Sequence, residues 1–125
     1  MSDIVRLQAR RSPSKTALIY EGHRDTFEAL DVLINRTANA LREAGIGEGD
    51  RVAVFSHNNR SFVVLRFAII RAGAIFTPIN FMLTTGEVAY ILEHSGARAV
   101  IAEDALCATC EEAFRGMAAP PALRA

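Results

Sequence analysis

RVAVFSHNNRSFVVLRFAIIRAGAIFTPIN, from Arg51 to Asn80, reads as a strand, a helix and a second strand in succession. Val52 to Phe55 is a continuous apolar run rather than an alternating one, the pattern of a strand covered by helices on both faces. A sheet of that kind is parallel. In the polar loop Ser56 to Ser61, Asn58, Asn59 and Ser61 each offer a side-chain oxygen to the orphan amides of a helix start. Phe62 to Ala72 is apolar except for Arg66 and Arg71, so it predicts a helix covered around most of its circumference. Gly73 stops it, and Ala74 to Thr77 supplies the next strand. Pro78 is expected to end pairing there because it has no amide to donate.

Upstream, Asp3 to Ala9 predicts a short helix with Ile4, Val5 and Leu7 turned inward, broken by Ser12-Pro13-Ser14. A hairpin follows, with strand Ala17 to Tyr20, a turn at Glu21-Gly22-His23 and a return over Arg24 to Phe27. Thr26 is the expected N-cap of a long helix. Its apolar positions Phe27, Leu30, Ile34, Ala38 and Leu41 recur at three- and four-residue steps and form one stripe toward the sheet, while Arg36, Asn39, Arg42 and Glu43 face water. Gly45 suits the left-handed position after that helix and Ile46 the apolar contact beyond it. Downstream, Thr84-Thr85-Gly86-Glu87 has capping-box spacing, with Val88, Ile91 and Leu92 as the buried face and Gly96 as the stop. Arg98 to Ala102 predicts a buried strand and Leu106 to Met117 a last helix, after which Ala118 to Pro121 ends regular structure. The alternation implies a layered α/β fold with a mostly parallel sheet flanked by helices and preceded by a small β-hairpin.

At 125 residues the expected organisation is one domain with a packed core. Half the residues are apolar and 22% are charged, which suits a globular protein. The 14 basic and 14 acidic residues balance, so the electrostatic footprint of a nucleic-acid partner is missing. No apolar run approaches the roughly 18 residues of a membrane span, and MSDIVRLQARR lacks the apolar centre of a signal peptide. A cytoplasmic location and reduced thiols are therefore expected.

Several small patterns carry chemical readings. Gly45, Gly47 and Gly49 precede a strand, whereas a dinucleotide loop must follow one, so helix cap and turn fit better. Cys107 and Cys110 form a C-x-x-C pair at a helix start, the context of a small thiol oxidoreductase, but the usual aromatic before it and proline within it are missing. His23, His57 and His94 lie on different elements, which argues against zinc. Ser56-His57 ends the central strand, where α/β proteins place ligands. The glycines of a nucleophile elbow are absent there, and the acidic residues that a phosphoacceptor domain would want at this strand end are expected to be absent as well. A loop that caps the next helix is the expected reading. No metal-ligating set and no catalytic constellation emerges.

Four segments, KTALIYEG (Lys15–Gly22), NRTANALREAGIGEGDRVAVF (Asn35–Phe55), RAGAIFTPIN (Arg71–Asn80) and EVAYILEHSGARAVI (Glu87–Ile101), resemble in order and spacing the N-terminal region of adenylate-forming acyl-CoA synthetases. The resemblance covers Thr16 to Ile101. It implies that residues 1–125 are an incomplete N-terminal part of the AMP-binding large domain. The complete enzyme would activate a carboxylic (fatty) acid with ATP and Mg²⁺ to an acyl-adenylate and pass the acyl group to coenzyme A. The phosphate-gripping run ending Pro-Lys is not matched: Thr84-Thr85-Gly86 is followed by Glu87-Val88. Adenylation also needs placed cations, and Lys15 is the single lysine among 13 arginines. Arg36, Arg42, Arg66 and Arg71 read as the wet edges of helices, so the chain alone is expected to be structural and non-catalytic, with no catalytic, cofactor or metal residues of its own. The other reading is a standalone module whose uncovered sheet edge or apolar patch binds the remainder of a synthetase, a partner protein or a second copy.

Overall fold

The structure, a computed structural model, describes residues 3–125. In chain order its elements are α1 (Asp3–Arg11), β1 (Thr16–Tyr20), β2 (His23–Thr26), α2 (Phe27–Glu43), β3 (Arg51–Phe55), α3 (Arg60–Arg71), β4 (Ile75–Ile79), α4 (Thr85–Ser95), β5 (Ala99–Ala102), α5 (Cys107–Arg115) and β6 (Leu123–Arg124), with a 3₁₀ turn at Asp104–Leu106. They fall into two compact units, Met1–Glu48 with Asn58–Ala74, and Gly49–His57 with Ile75–Ala125.

The first unit is mainly helical. Its hairpin turns tightly through Glu21 and Gly22, both at positive φ, so β1 and β2 pair antiparallel from Tyr20↔His23 back to Thr16↔Thr26. Thr26 caps α2 by accepting the Ala29 amide at 3.1 Å, and Glu28 lies in the first turn. Position N3 is Ala29, so no carboxylate returns the bond. The α2 stripe is buried at Leu30, Ile34 and Ala38, where it packs with Val5 of α1 and with Val64, Ala68 and Ala72 in and just after α3. Within this unit the face that receives the stripe is α3, which is apolar enough to offer one. Among the described side chains of α1 only Val5 is buried, while Ile4 and Leu7 are 56% and 46% exposed. At 100° per residue they lie well off the Val5 face.

The second unit is a parallel sheet in the order β4-β3-β5-β6 with α4 and α5. Val52, Ala53, Val54 and Phe55 are fully buried, as the unbroken apolar run predicts. Ala53 and Phe55 join Ile79, Val88, Leu92, Val100, Ala113 and Phe114 in this unit's core. Pairing does not stop at Pro78. β4 runs to Ile79 in register with Phe55. The Ile75 amide donates to the Asp50 carbonyl on the β3 side, and alternation then points Thr77 and Ile79 toward β3 and Pro78 outward, which an edge strand tolerates. β6 is a strand the sequence does not announce, since two residues beyond Pro120-Pro121 carry no periodicity. It pairs parallel to β5. The last helix is shorter than Leu106 to Met117 and is preceded by the 3₁₀ turn. The Thr84–Glu87 capping box is formed as expected, and α4 ends at Gly96 in the left-handed region (φ 63°).

Candidate functional site

The parallel register decides what stands at the carboxyl end of the sheet. Phe55 of β3 lies opposite Ala102 of β5, so Ser56 and Glu103 leave their strands side by side. Glu103 donates its amide to the Phe55 carbonyl at 3.0 Å. Its carboxylate then turns back. Glu103 Oε2 accepts the His57 backbone N–H at 2.9 Å and lies 2.8 Å from His57 Nδ1. Ser56 Oγ, bonded to the His57 carbonyl at 2.9 Å, stands 3.4 Å from the same oxygen. From the loop after β4, the Phe81 ring lies 4.1 Å from the imidazole, tilted by 34°.

These contacts fix the chemistry of the ring. The His57 backbone amide, and after it the imidazole, hold the Glu103 carboxyl below its ordinary value of 4.5. The carboxylate is thus an acceptor, and Nδ1 must carry the hydrogen. In the neutral ring the lone pair sits on Nε2, which has no hydrogen-bond partner among the described residues. The imidazole is partly open, with 45% of the side chain exposed. A carboxylate that orients a histidine in this way is the arrangement in which the far nitrogen serves as base, nucleophile or ligand.

Other candidates separate. The loop after β3 caps the next helix as expected, through Asn59, which accepts the Phe62 amide at 2.9 Å, and α3 begins at Arg60. Cys107 is partly exposed and its thiol donates to the Glu103 carbonyl at 3.5 Å. Cys110 belongs to the core, and burial first, then Cys107 and Glu111, push its thiol up to about 11. A redox pair needs an accessible thiolate, so the geometry works against the oxidoreductase reading. Gly45 ends α2 at φ 94° and Gly49 turns at φ 81°, cap and turn as expected. No group of three or more His, Cys, Asp or Glu suited to a metal ion occurs among the described residues.

Two arginines are placed differently from expectation. Arg71 is not a wet edge: its side chain is 4% exposed and Nη2 lies 2.8 Å from Asp31 Oδ1. Arg42 is exposed but donates to the Arg71 carbonyl at 2.7 Å. Sequence reading also missed Asp25, a buried carboxylate gripped by Arg60 at 2.6 and 2.8 Å. Arg60 chiefly holds the Asp25 carboxyl below its usual 3.8. Nothing in spacing announces a pair 35 residues apart. The expectation of no acidic residue at the end of β3 is overturned: the pairing of β3 with β5 sets Glu103 beside His57, a neighbour 46 residues away that spacing does not announce.

Against known families, residues 5–122 match the model of the AMP-binding enzyme. The chain belongs to the AMP-binding enzyme family. It is 38% identical over 116 residues to the long-chain-fatty-acid–CoA ligase FadD13 of Mycobacterium tuberculosis, 93% of this chain and 22% of that protein. It is 36% identical over 96 residues to the fatty acid–[acyl-carrier-protein] ligase ScoC of Streptomyces coeruleorubidus, 77% of this chain and 18% of that one. The chain therefore spans about a fifth of the length of these curated relatives. Among solved structures, the N-terminal domain of FACL13 from Mycobacterium tuberculosis superimposes with a TM-score of 0.90 at 32% identity, over 98% of this chain and 32% of that one. The α/β fold is thus that of the N-terminal region of adenylate-forming ligases. No helix among the described residues is long and apolar enough to cross a membrane.

Proposed function

We propose that this chain supplies the first α/β layer of the large domain in a ligase that activates a carboxylic acid, of fatty type, with ATP and Mg²⁺ and passes the acyl group to coenzyme A, acting in the cytoplasm. The observation that carries the reading is the family match over residues 5–122. The layer's own part is to position: the β3 run and the α4 capping box fix the sheet on which the rest of such an enzyme would build.

The donor set here does not fit Mg²⁺-ATP. Lys15 is exposed at the hairpin entrance, and Arg60 and Arg71 face Asp25 and Asp31. Neither paired guanidinium is available to a polyphosphate without breaking its pair, and we assign adenylation to residues outside this stretch. Isothermal titration of ATP with Mg²⁺ into the folded 125-residue chain tests this. No saturable heat is expected. The companion test puts residues 5–122 of this chain in place of the matching stretch of FadD13, and the chimera should keep acid-dependent ATP–pyrophosphate exchange. A soluble, folded chimera without exchange would overturn the scaffold reading, and saturable ATP binding to the chain alone would overturn the assignment of chemistry elsewhere.

A further inference from the structure

The Glu103–His57 pair has a geometry that scaffold alone does not require. Glu103 Oε2 takes two bonds from one residue, the backbone N–H and Nδ1 of His57. This fixes the tautomer and orients the ring, leaving Nε2 as the basic nitrogen. The site stands at the carboxyl ends of β3 and β5, where α/β sheets present ligands. Phe81 covers one side of the imidazole.

We propose that His57 is an acyl-acceptor site, whose Nε2 takes an acyl group from an activated carboxylic acid and returns it to water. The Nε2 lone pair attacks the carbonyl carbon. An N–C bond forms as the bond from that carbon to the leaving oxygen breaks, and the leaving group departs with the electron pair. The product is an acylimidazolium that still donates Nδ1–H to Glu103, so the carboxylate balances the new positive charge. Water then attacks the acyl carbon, yielding the free acid and an imidazolium that releases its proton to solvent.

Competing ligand classes fit less well. A phosphoryl group would bring further negative charge beside the Glu103 carboxylate. A metal ion would find one imidazole and no third ligand among the described residues. An acyl group adds positive charge to the ring, which both the carboxylate and the face of Phe81 favour. That a mixed anhydride of acid and nucleotide is the natural donor rests on the function proposed above.

The test supplies its own acyl group, so it needs neither ATP nor ligase activity, and its failure would leave the family reading intact. The 125-residue chain is treated with diethyl pyrocarbonate, and acylation at each histidine is followed by mass spectrometry. His94, stacked on Tyr90 at 5.5 Å, and His23, 3.3 Å from Asp25 and 60% exposed, serve as internal references. His57 should react about tenfold or more faster than His94, and Glu103→Gln, which removes the charge, should erase most of that advantage. Hydrolysis of p-nitrophenyl acetate should fall in parallel and be lost in His57→Gln. A His57 rate at or below that of His94 in the unmutated chain overturns the proposal, and this comparison requires no variant to fold. A fast His57 in a Glu103→Gln chain with unchanged far-ultraviolet dichroism overturns the role of the carboxylate.

Discussion

The two units solve the same problem with different materials. The helical unit packs α1, α2 and α3 around Leu30, Ile34 and Ala38 and fastens distant parts of itself with guanidinium–carboxylate pairs, Arg60 to Asp25 and Arg71 to Asp31. The sheet unit relies on its parallel backbone ladder and a core of Phe55, Val100 and Phe114, with the His57–Glu103 and Arg98–Asp50 contacts at strand ends. Charge divides along the same line: ten basic against seven acidic side chains in the helical unit, four against seven in the sheet unit. Neutrality of the whole chain conceals this. Cohesion comes from apolar contact in both units.

The contrast can be broken most forcefully in the sheet unit. Phe55→Ala empties a fully buried site and should cost about 3–5 kcal/mol by urea unfolding. Amides of β3 and β5 should lose exchange protection first, and an equal, simultaneous loss in α2 would erase the distinction between the units. Next is Asp25→Asn in the helical unit. A fully buried broken pair costs about 3–5 kcal/mol, and because the Arg60 side chain is 38% exposed the expected loss is about 2–3. Arg60 lowers the folded-state pKa of Asp25 below 3.8. Its stabilisation is therefore present above about pH 4 and is lost as pH falls through the depressed value. The asparagine variant should show a flatter acid limb, and an unchanged slope would mean that this pair does not hold the unit.

Smaller effects separate the helix ends. Gly96→Ala should cost about 1–2 kcal/mol for its left-handed backbone alone, since the added Cβ would meet nothing closer than an Arg51 nitrogen at 3.9 Å. A loss near zero would show that α4 can end another way. Thr84→Ala, which dismantles a reciprocal box, should cost about 1 kcal/mol, and Thr26→Ala, a one-sided cap, about half that. Thermal midpoints of the two variants in parallel give the ratio.

Sequence alone made the sheet unit easier to read than the helical one. β3 betrays itself by four consecutive apolar residues, and α4 by a cap and a glycine at fixed offsets. That α3 receives the α2 stripe was not legible, because one apolar stripe fits a helix as well as a sheet. α1 was misjudged for the same reason: three apolar residues in a short helix do not say which one is covered. Arg71 was misread because the partner that buries it lies 40 residues away. At the candidate site, the strand-end position of Ser56-His57 could be read. Glu103 could not be placed beside it until the register of β3 and β5 was known, since tertiary pairing sets that contact.

Pro78 bears on how this protein behaves at high concentration. A sheet margin normally acts as a template for a neighbouring chain because its outer amides await partners. On the β4 side, one of the two outward-facing positions, Pro78, is an imide nitrogen with nothing to donate. That margin is thus blunted by chemistry. A proline at that position removes a donor that a neighbouring chain would otherwise pair with.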